Sequence, residues 1–166
     1  MGGGRGGEVV IPDRMQHNSA HCGPVAIAHR LGIKAAQVMV DWPDKWTDHR
    51  TDRKWWLWPI DTPWNHRKYL ERTGQQMIEY NGDDWPVNSI VLLHNVNKGK
   101  NPITSFFYGL FFQHWVRVVD KDEQNITVDF GTEEYPTRVY DRASFKRLVD
   151  GAWPRCVYEI GGVAQA

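Results

Sequence analysis

The chain has 166 residues, and its 20 basic side chains are balanced by 20 acidic ones. A chain of this length buries on the order of 70% of its unfolded surface, which is enough for one self-sufficient core. The balanced charge excludes a general electrostatic attraction to nucleic acid, and no apolar run approaches the roughly 20 residues of a membrane-spanning helix.

The first seven residues form a glycine-rich tail that we predict to be disordered, because it carries too few side chains to offset the entropy of ordering. They lack the apolar core of a secretory signal peptide, which indicates a cytoplasmic protein or one exported by another route. Residues 8–166 are predicted to form a single domain. Its first element is a short strand at residues 8–11, which Pro12 ends.

Residues 16–32 begin as a polar loop and continue as an apolar run with helical spacing, which a glycine closes. Cys22 therefore lies at the predicted N-terminus of a helix. There the free backbone N–H groups and the helix dipole favour a thiolate, the form of cysteine that attacks carbonyl carbon. Gln16 precedes Cys22 by six residues, and its side-chain amide can stabilise the resulting oxyanion together with the Cys22 backbone N–H. The alternative is that Cys22 is a small hydrophobic residue of the core.

The order of Gln16, five residues and then Cys22-Gly23 resembles that of the papain-like cysteine peptidases. Within this superfamily the chain is most similar to the small bacterial branch that includes the double-glycine, bacteriocin-processing peptidases. The resemblance implies an α+β papain-like fold, in which an N-terminal helix carrying the cysteine packs on an antiparallel β-sheet. It also implies that the second half of the chain supplies a histidine and an aspartate.

The middle of the chain is predicted to alternate between short helices, strands and polar segments. In order, these are a helix at residues 33–40, an irregular surface excursion at 44–58, a helix from Thr62-Pro63 to 73, strands at 76–80 and 89–94, and a polar loop at 97–101. The chain has nine tryptophans, most of them between residues 42 and 85. They indicate either an awkwardly packed core or an aromatic groove that binds an extended polymer.

A predicted strand at residues 111–120 carries His114, Val116 and Val118 at alternating positions, so that one polar side chain stands at the start of an apolar face. A polar turn at residues 120–124 and a returning strand at 126–130 bring Asp129 back beside that start. This pattern of histidine, strand, turn, strand and aspartate resembles the same peptidase branch. The resemblance implies that His114 is the general base and that Asp129 fixes its tautomer and orientation.

The remaining histidines support weaker interpretations. His17 and His21 flank Cys22, but no second thiol or carboxylate pair stands at the spacing of a zinc site, so we predict no metal and no cofactor. His29 lies on the predicted helix and is interpreted as a residue at its solvent edge. No constellation includes the three others, His49, His66 and His94.

The C-terminal part is predicted to contain an exposed loop at residues 132–138, an amphipathic helix at 140–149 and a final strand at 156–160. The helix would turn Phe145, Leu148 and Val149 inward. Cys156 belongs to the final strand and is interpreted as buried and inert. We therefore expect Cys156 and Cys22 to be free thiols rather than a disulfide.

Together these features predict a cysteine peptidase or amide hydrolase that acts on a peptide or protein through a thioester acyl-enzyme. Its site would contain Cys22 as nucleophile with His114, Asp129 and Gln16. One alternative is an acyl-transfer enzyme on the same scaffold, transglutaminase-like or deamidating, because such enzymes share nucleophile, base and orienting acid. The other is a non-catalytic papain-like module that holds peptide or glycan in a tryptophan-lined groove.

Overall fold

The structure is a computed structural model that describes residues 22–43, 62–94, 113–130 and 137–162. The helices in these ranges are α1 (Cys22–Leu31), α2 (Ala35–Val40), α3 (Pro63–Arg72) and α4 (Arg142–Gly151), and the strands are β1 (Gln76–Glu79), β2 (Ile90–Leu93), β3 (His114–Lys121), β4 (Asn125–Asp129), β5 (Thr137–Asp141) and β6 (Val157–Gly161). None of these helices has the length and apolar character needed to cross a bilayer. The predicted tail at residues 1–7, the strand at 8–11, Gln16, the excursion at 44–58 and the loop at 97–101 lie outside the described ranges.

The six strands form one sheet in the order β1-β6-β2-β3-β4-β5, and every neighbouring pair is antiparallel. Only the hairpins β3–β4 and β4–β5 and the β2–β3 pair join strands that follow one another in the chain. The last strand, β6, enters the sheet between β1 and β2. The predicted α+β class, with an N-terminal helix and an antiparallel sheet, is confirmed.

Side chains that alternate along the strands contribute to two separate cores. On one face of the sheet, Leu92 and Trp115 pack with buried side chains of α1, α2 and α3. On the other face, Leu93 and Val116 pack with α4, whose Phe145 is fully buried. We call these the α1 face and the α4 face. Because both faces are covered, the central strand β2 is buried along its whole length.

The ends of two helices follow directly from the local sequence. α1 is followed by Gly32 at φ 67°, a left-handed conformation that costs glycine little. At the start of α3, the Thr62 hydroxyl accepts a hydrogen bond from the backbone N–H of Asn65 at 3.3 Å, and Pro63 occupies the first helical position. The predicted N-terminal helix and the helix that starts at Thr62-Pro63 are therefore confirmed.

The segment before α4 differs from the prediction, because β5 forms where the sequence predicts a loop and the start of a helix. β5 is an edge strand that is exposed along most of its length, so it lacks the apolar alternation by which strands are recognised. Its last residue, Asp141, caps α4 by accepting a hydrogen bond from the backbone N–H of Ser144 at 2.8 Å. Phe145 and Val149 are buried as predicted, whereas Leu148 is half-buried.

Three tryptophans of the described ranges are buried in the two cores. Trp42 and Trp115 are buried on the α1 face, and Trp85 is buried on the α4 face. Trp64 and Trp153 are exposed. Packing therefore explains the tryptophans at both ends of the tryptophan-rich region, residues 42 and 85, while those at residues 44–61 lie outside the described ranges.

Candidate active site

Cys22 is the first residue of α1, at the end where the backbone N–H groups have no partner within the helix. Its side chain is half-buried and packs against the core on the α1 face. The partial positive charge of a helix N-terminus favours an anion, and this is the physical basis for expecting a thiolate at such a position. The predicted helix that contains Cys22 is present, and the role of Cys22 as nucleophile stays a prediction.

Asp129, the last residue of β4, is bonded to α1. Its Oδ2 accepts a hydrogen bond from Nδ1 of His29 at 2.6 Å, and the side chains of His29 and Asp129 are only 4% and 8% exposed. The prediction that His29 lies at the solvent edge of its helix is therefore wrong. α1 packs on β3, the neighbour of β4, and this packing turns the His29 side of the helix toward the sheet.

Arg117 provides a second positive partner near the same carboxylate. It lies opposite Asp129 in the β3–β4 ladder, and its Nη2 is 3.9 Å from Asp129 Oδ2. Its Nη1 donates a hydrogen bond to the side-chain oxygen of Asn88 at 3.0 Å. A carboxylate removed from water needs such compensation, and both His29 and Arg117 compensate for the burial of Asp129.

His114 is the first residue of β3 and lies on the α4 face. Its partner across the ladder is Leu93, which belongs to the core on that face. The imidazole stacks on the ring of Phe130, with ring centroids 4.6 Å apart and planes inclined by 21°. His114 Nε2 is 3.3 Å from the Phe130 carbonyl oxygen, and because a carbonyl can only accept, Nε2 carries the proton of this hydrogen bond.

The register of the β3–β4 hairpin explains why Asp129 and His114 have different partners. Asp129 lies opposite Arg117, three residues along β3 from His114. An odd offset along a strand reverses the face, so Asp129 faces α1 while His114 faces α4. Among the described residues, the imidazole bonded to Asp129 is that of His29. The orienting role of Asp129 toward His114 stays a prediction.

His66 is a buried polar residue that the sequence analysis assigned to no site. It is fully buried on α3, its Nδ1 is 2.6 Å from the Tyr158 hydroxyl, and its ring stacks on Trp115 with centroids 3.9 Å apart. Trp42 meets the same imidazole edge-on at 5.3 Å. A signal was present, since His66, Tyr69 and Leu70 follow the spacing of one buried helix face.

Cys156 is buried beside the start of β6 and is a free cysteine, as is Cys22. Burial, followed by the negative charge of Glu79, raises the pKa of the Cys156 thiol to about 12. The thiol therefore stays protonated and unreactive at neutral pH. The burial predicted for Cys156 is confirmed.

Cys22, His114 and Asp129 define the described part of the candidate site, because Gln16 lies outside the described ranges. Within those ranges, no group of three or more His, Cys, Asp or Glu side chains is placed to hold a metal ion. The functional assignment of the site therefore depends on the contacts that Cys22, His114 and Asp129 make. No protein-family model matches the chain, and no curated protein shows a significant match to it.

Proposed function

We propose that the protein is a thiol-dependent amide hydrolase of the cysteine peptidase class, with Cys22 as nucleophile and His114 as general base. The observation that carries this proposal is the position of Cys22 as the first residue of α1. At a helix N-terminus the pKa of a thiol falls, and the thiolate forms near neutral pH. The substrate we propose is a peptide or protein, as the resemblance to papain-like peptidases implies.

The direction of α1 across the sheet supports a common location for the two side chains. The C-terminal end of α1 contacts β4 through His29 and β6 through Arg30, which donates to Glu159 at 2.9 Å. Toward the β3–β4 turn, Thr127 is only half-buried although it shares the α1 face, whereas Trp115 near the start of β3 is buried. We infer that α1 covers the part of the sheet around Trp115 and begins near the end where β3 begins.

The proposal therefore requires Cys22 and His114 to meet at this end of the sheet. α1 lies on one face, and His114 belongs to the other face by its register with Leu93. His114 is the first residue of its strand and is half-buried, so its ring stands at the rim rather than in the interior of the sheet. A rim position is compatible with a partner from the α1 side.

In the proposed reaction, the Cys22 sulfur attacks the carbonyl carbon of an amide, and the thiol proton passes to His114. The oxyanion accepts hydrogen bonds from the Cys22 backbone N–H and, as the sequence predicts, from Gln16. His114 gives its proton to the departing amine as the C–N bond breaks. Water then attacks the thioester while His114 takes one of its protons. The C–S bond breaks, the carboxylic acid leaves, and the sulfur recovers a proton from His114.

The rate at which iodoacetamide alkylates Cys22, measured between about pH 5 and pH 9 by peptide mapping, tests this proposal. If His114 and the helix end stabilise the thiolate, the rate at pH 6 exceeds that of a thiol with the ordinary pKa of about 8.5 by roughly tenfold or more. The variant His114→Gln should lose most of this excess. Cys156 provides an internal control in the same maps, because it is buried and its pKa is raised to about 12.

Two results would contradict the proposal. One is an ordinary thiol profile for Cys22 in the unaltered protein. The other is an alkylation rate that is raised at pH 6 to the same extent in the unaltered protein and in His114→Gln, because the helix end alone would then explain the thiolate and His114 would have no part in it. A thiol-directed peptidyl epoxysuccinate provides an independent readout, since it should label Cys22 and leave Cys22→Ala unlabelled.

The contacts of Asp129 favour a second candidate function, a non-catalytic module that binds peptide or glycan. The hydrogen bond between Asp129 and His29 joins α1 to the sheet, and His114 is held on the opposite face by Phe130. In a binding module these contacts would serve stability alone. The alkylation profile distinguishes the candidates, because a binding module needs no thiolate and predicts an ordinary profile for Cys22.

A further inference from the structure

We infer that Phe130 positions His114, an inference that rests on the proposed role of His114 as general base. Two contacts of different kinds join the residues. The Phe130 carbonyl accepts a hydrogen bond from Nε2 at 3.3 Å, and the Phe130 ring stacks on the imidazole at 4.6 Å. A hydrogen bond fixes the direction of one ring nitrogen, and a stack fixes the plane, so together they define the orientation of the imidazole.

The hydrogen bond also selects the tautomer of the neutral ring. Because Nε2 donates to the Phe130 carbonyl, Nδ1 is the nitrogen that can accept a proton. A carbonyl is a dipole without net charge, so it stabilises the protonated ring less than a carboxylate in the same place would. Phe130 thus makes Nδ1 the basic nitrogen of the ring, while its backbone carbonyl supplies no counter-charge.

Phe130 is itself held from both sides. The Arg138 guanidinium on β5 packs over its ring at 4.1 Å from the centroid, a cation–π contact. The ring also packs against the core on the α4 face. Its neighbour Asp129 is bonded to His29 on α1, which fixes the end of β4. A positioning residue needs such support, because a loosely held partner cannot orient the group it contacts.

The experiment uses the full chain labelled with ¹⁵N and compares Phe130→Leu with the matched control Phe130→Tyr. The first readout is the exchange rate of the His114 Nε2–H with water, from long-range ¹H–¹⁵N spectra of the imidazole. The second readout is the pH profile of Cys22 alkylation by iodoacetamide. The first readout needs no activity, so it separates the inference about Phe130 from the proposed function.

Phe130→Leu keeps the backbone carbonyl but removes the stack, so the imidazole should rotate away and the Nε2–H should exchange about tenfold faster. The alkylation profile of Cys22 should shift toward higher pH in the same variant. Phe130→Tyr retains an aromatic face and should restore both values. Arg138→Gln, at an exposed position, should raise the exchange rate by about twofold to fivefold and provides the test if Phe130→Leu does not fold.

Unchanged exchange in Phe130→Leu and Arg138→Gln overturns the inference, whatever Cys22 does. Faster exchange with an alkylation profile that responds to neither Phe130→Leu nor His114→Gln supports positioning by Phe130 and overturns the proposed function. A profile that responds to His114→Gln but not to Phe130→Leu overturns the inference and leaves the proposed function intact. A response of both readouts to Phe130→Leu, with restoration by Phe130→Tyr, supports both.

Discussion

Asp129 on β4 and His29 on α1 are joined by a hydrogen bond of 2.6 Å between two side chains that are almost completely buried. This bond ties the helix that carries Cys22 to the strand that leads into Phe130. The next residue, Phe130, holds His114 on the other face of the sheet. Asp129 and Phe130 therefore connect the two faces of the sheet. Asp129 contacts α1 through its carboxylate, and Phe130 contacts His114 through its backbone carbonyl and its ring.

His29→Leu should destabilise the protein by about 3 kcal/mol, because it leaves the Asp129 carboxylate buried without its closest partner. Asp129→Asn should cost less, since an amide keeps the shape and an oxygen that can accept from His29. The double variant should cost less than the sum of the two single variants. Urea unfolding of all four proteins measures this coupling free energy.

The exposed ion pair between Arg67 and Glu79, 2.9 Å apart, is the matched control for this cycle. Its partners are about half exposed, and the same cycle there should give a coupling below about 1 kcal/mol. Equal coupling for the two pairs would contradict the expectation that burial strengthens the bond between His29 and Asp129.

Tyr158→Phe should cost about 1 to 3 kcal/mol, because it removes the hydroxyl bonded to His66 and leaves the buried Nδ1 without that partner. The change alters almost no volume, so a cavity cannot explain the loss. Tyr140→Phe is the control, since Tyr140 is half-buried on the edge strand β5 and should tolerate the change. Urea midpoints measured on both variants check the prediction, and a loss no larger in Tyr158→Phe than in the control would contradict it.

Cys156 should resist iodoacetamide up to about pH 9 in the folded protein and react readily after denaturation. Burial raises its pKa to about 12, whereas the unfolded thiol titrates near 8.5. Because the folded state holds the proton more tightly, the stabilisation is complete below about pH 8.5 and is lost as pH rises toward 12. The alkaline loss of stability should therefore be shallower in Cys156→Ala, as measured by urea unfolding at several pH values.

Asp141→Asn should have little effect on stability at neutral pH but should flatten the acid side of the stability profile. Hydrogen bonds from the Ser144 side chain and backbone hold the pKa of Asp141 below its ordinary value. A depressed folded pKa means that stability is present above the unfolded value, about 3.9, and is lost as pH falls through the folded value. Asparagine caps α4 without titrating. Parallel acid profiles for the two proteins would contradict this expectation.

The sequence was sufficient to predict the elements whose ends are determined by neighbouring residues. Gly32 and Thr62-Pro63 mark helix ends through a left-handed backbone position and an N-cap, which depend on nearest neighbours alone. The hairpin of β3 and β4 was predictable because its strands alternate and its turn is polar. β5 was missed because an exposed edge strand is defined by hydrogen bonds to its neighbour rather than by its own pattern.

The candidate site was less predictable, because faces and partners depend on register and packing. The sequence placed Asp129 near His114 along the hairpin, but an offset of three residues in the ladder sends the two side chains to opposite faces. His29, which donates a hydrogen bond to Asp129, lies on a helix a hundred residues earlier and could be identified as a partner only once α1 was packed on the sheet. The contacts of His66 with Tyr158 depend on packing in the same way.

The place of β6 between β1 and β2 has a consequence for biosynthesis. A ribosome releases β2 to β5 before β6, so until the final strand emerges β2 has an open edge and β1 has no partner among the described strands. Open edges of this kind pair with other chains and promote aggregation. The newly made polypeptide therefore completes its sheet only after translation has passed Gly161, and any nascent chain stalled before that point exposes two unsatisfied strands.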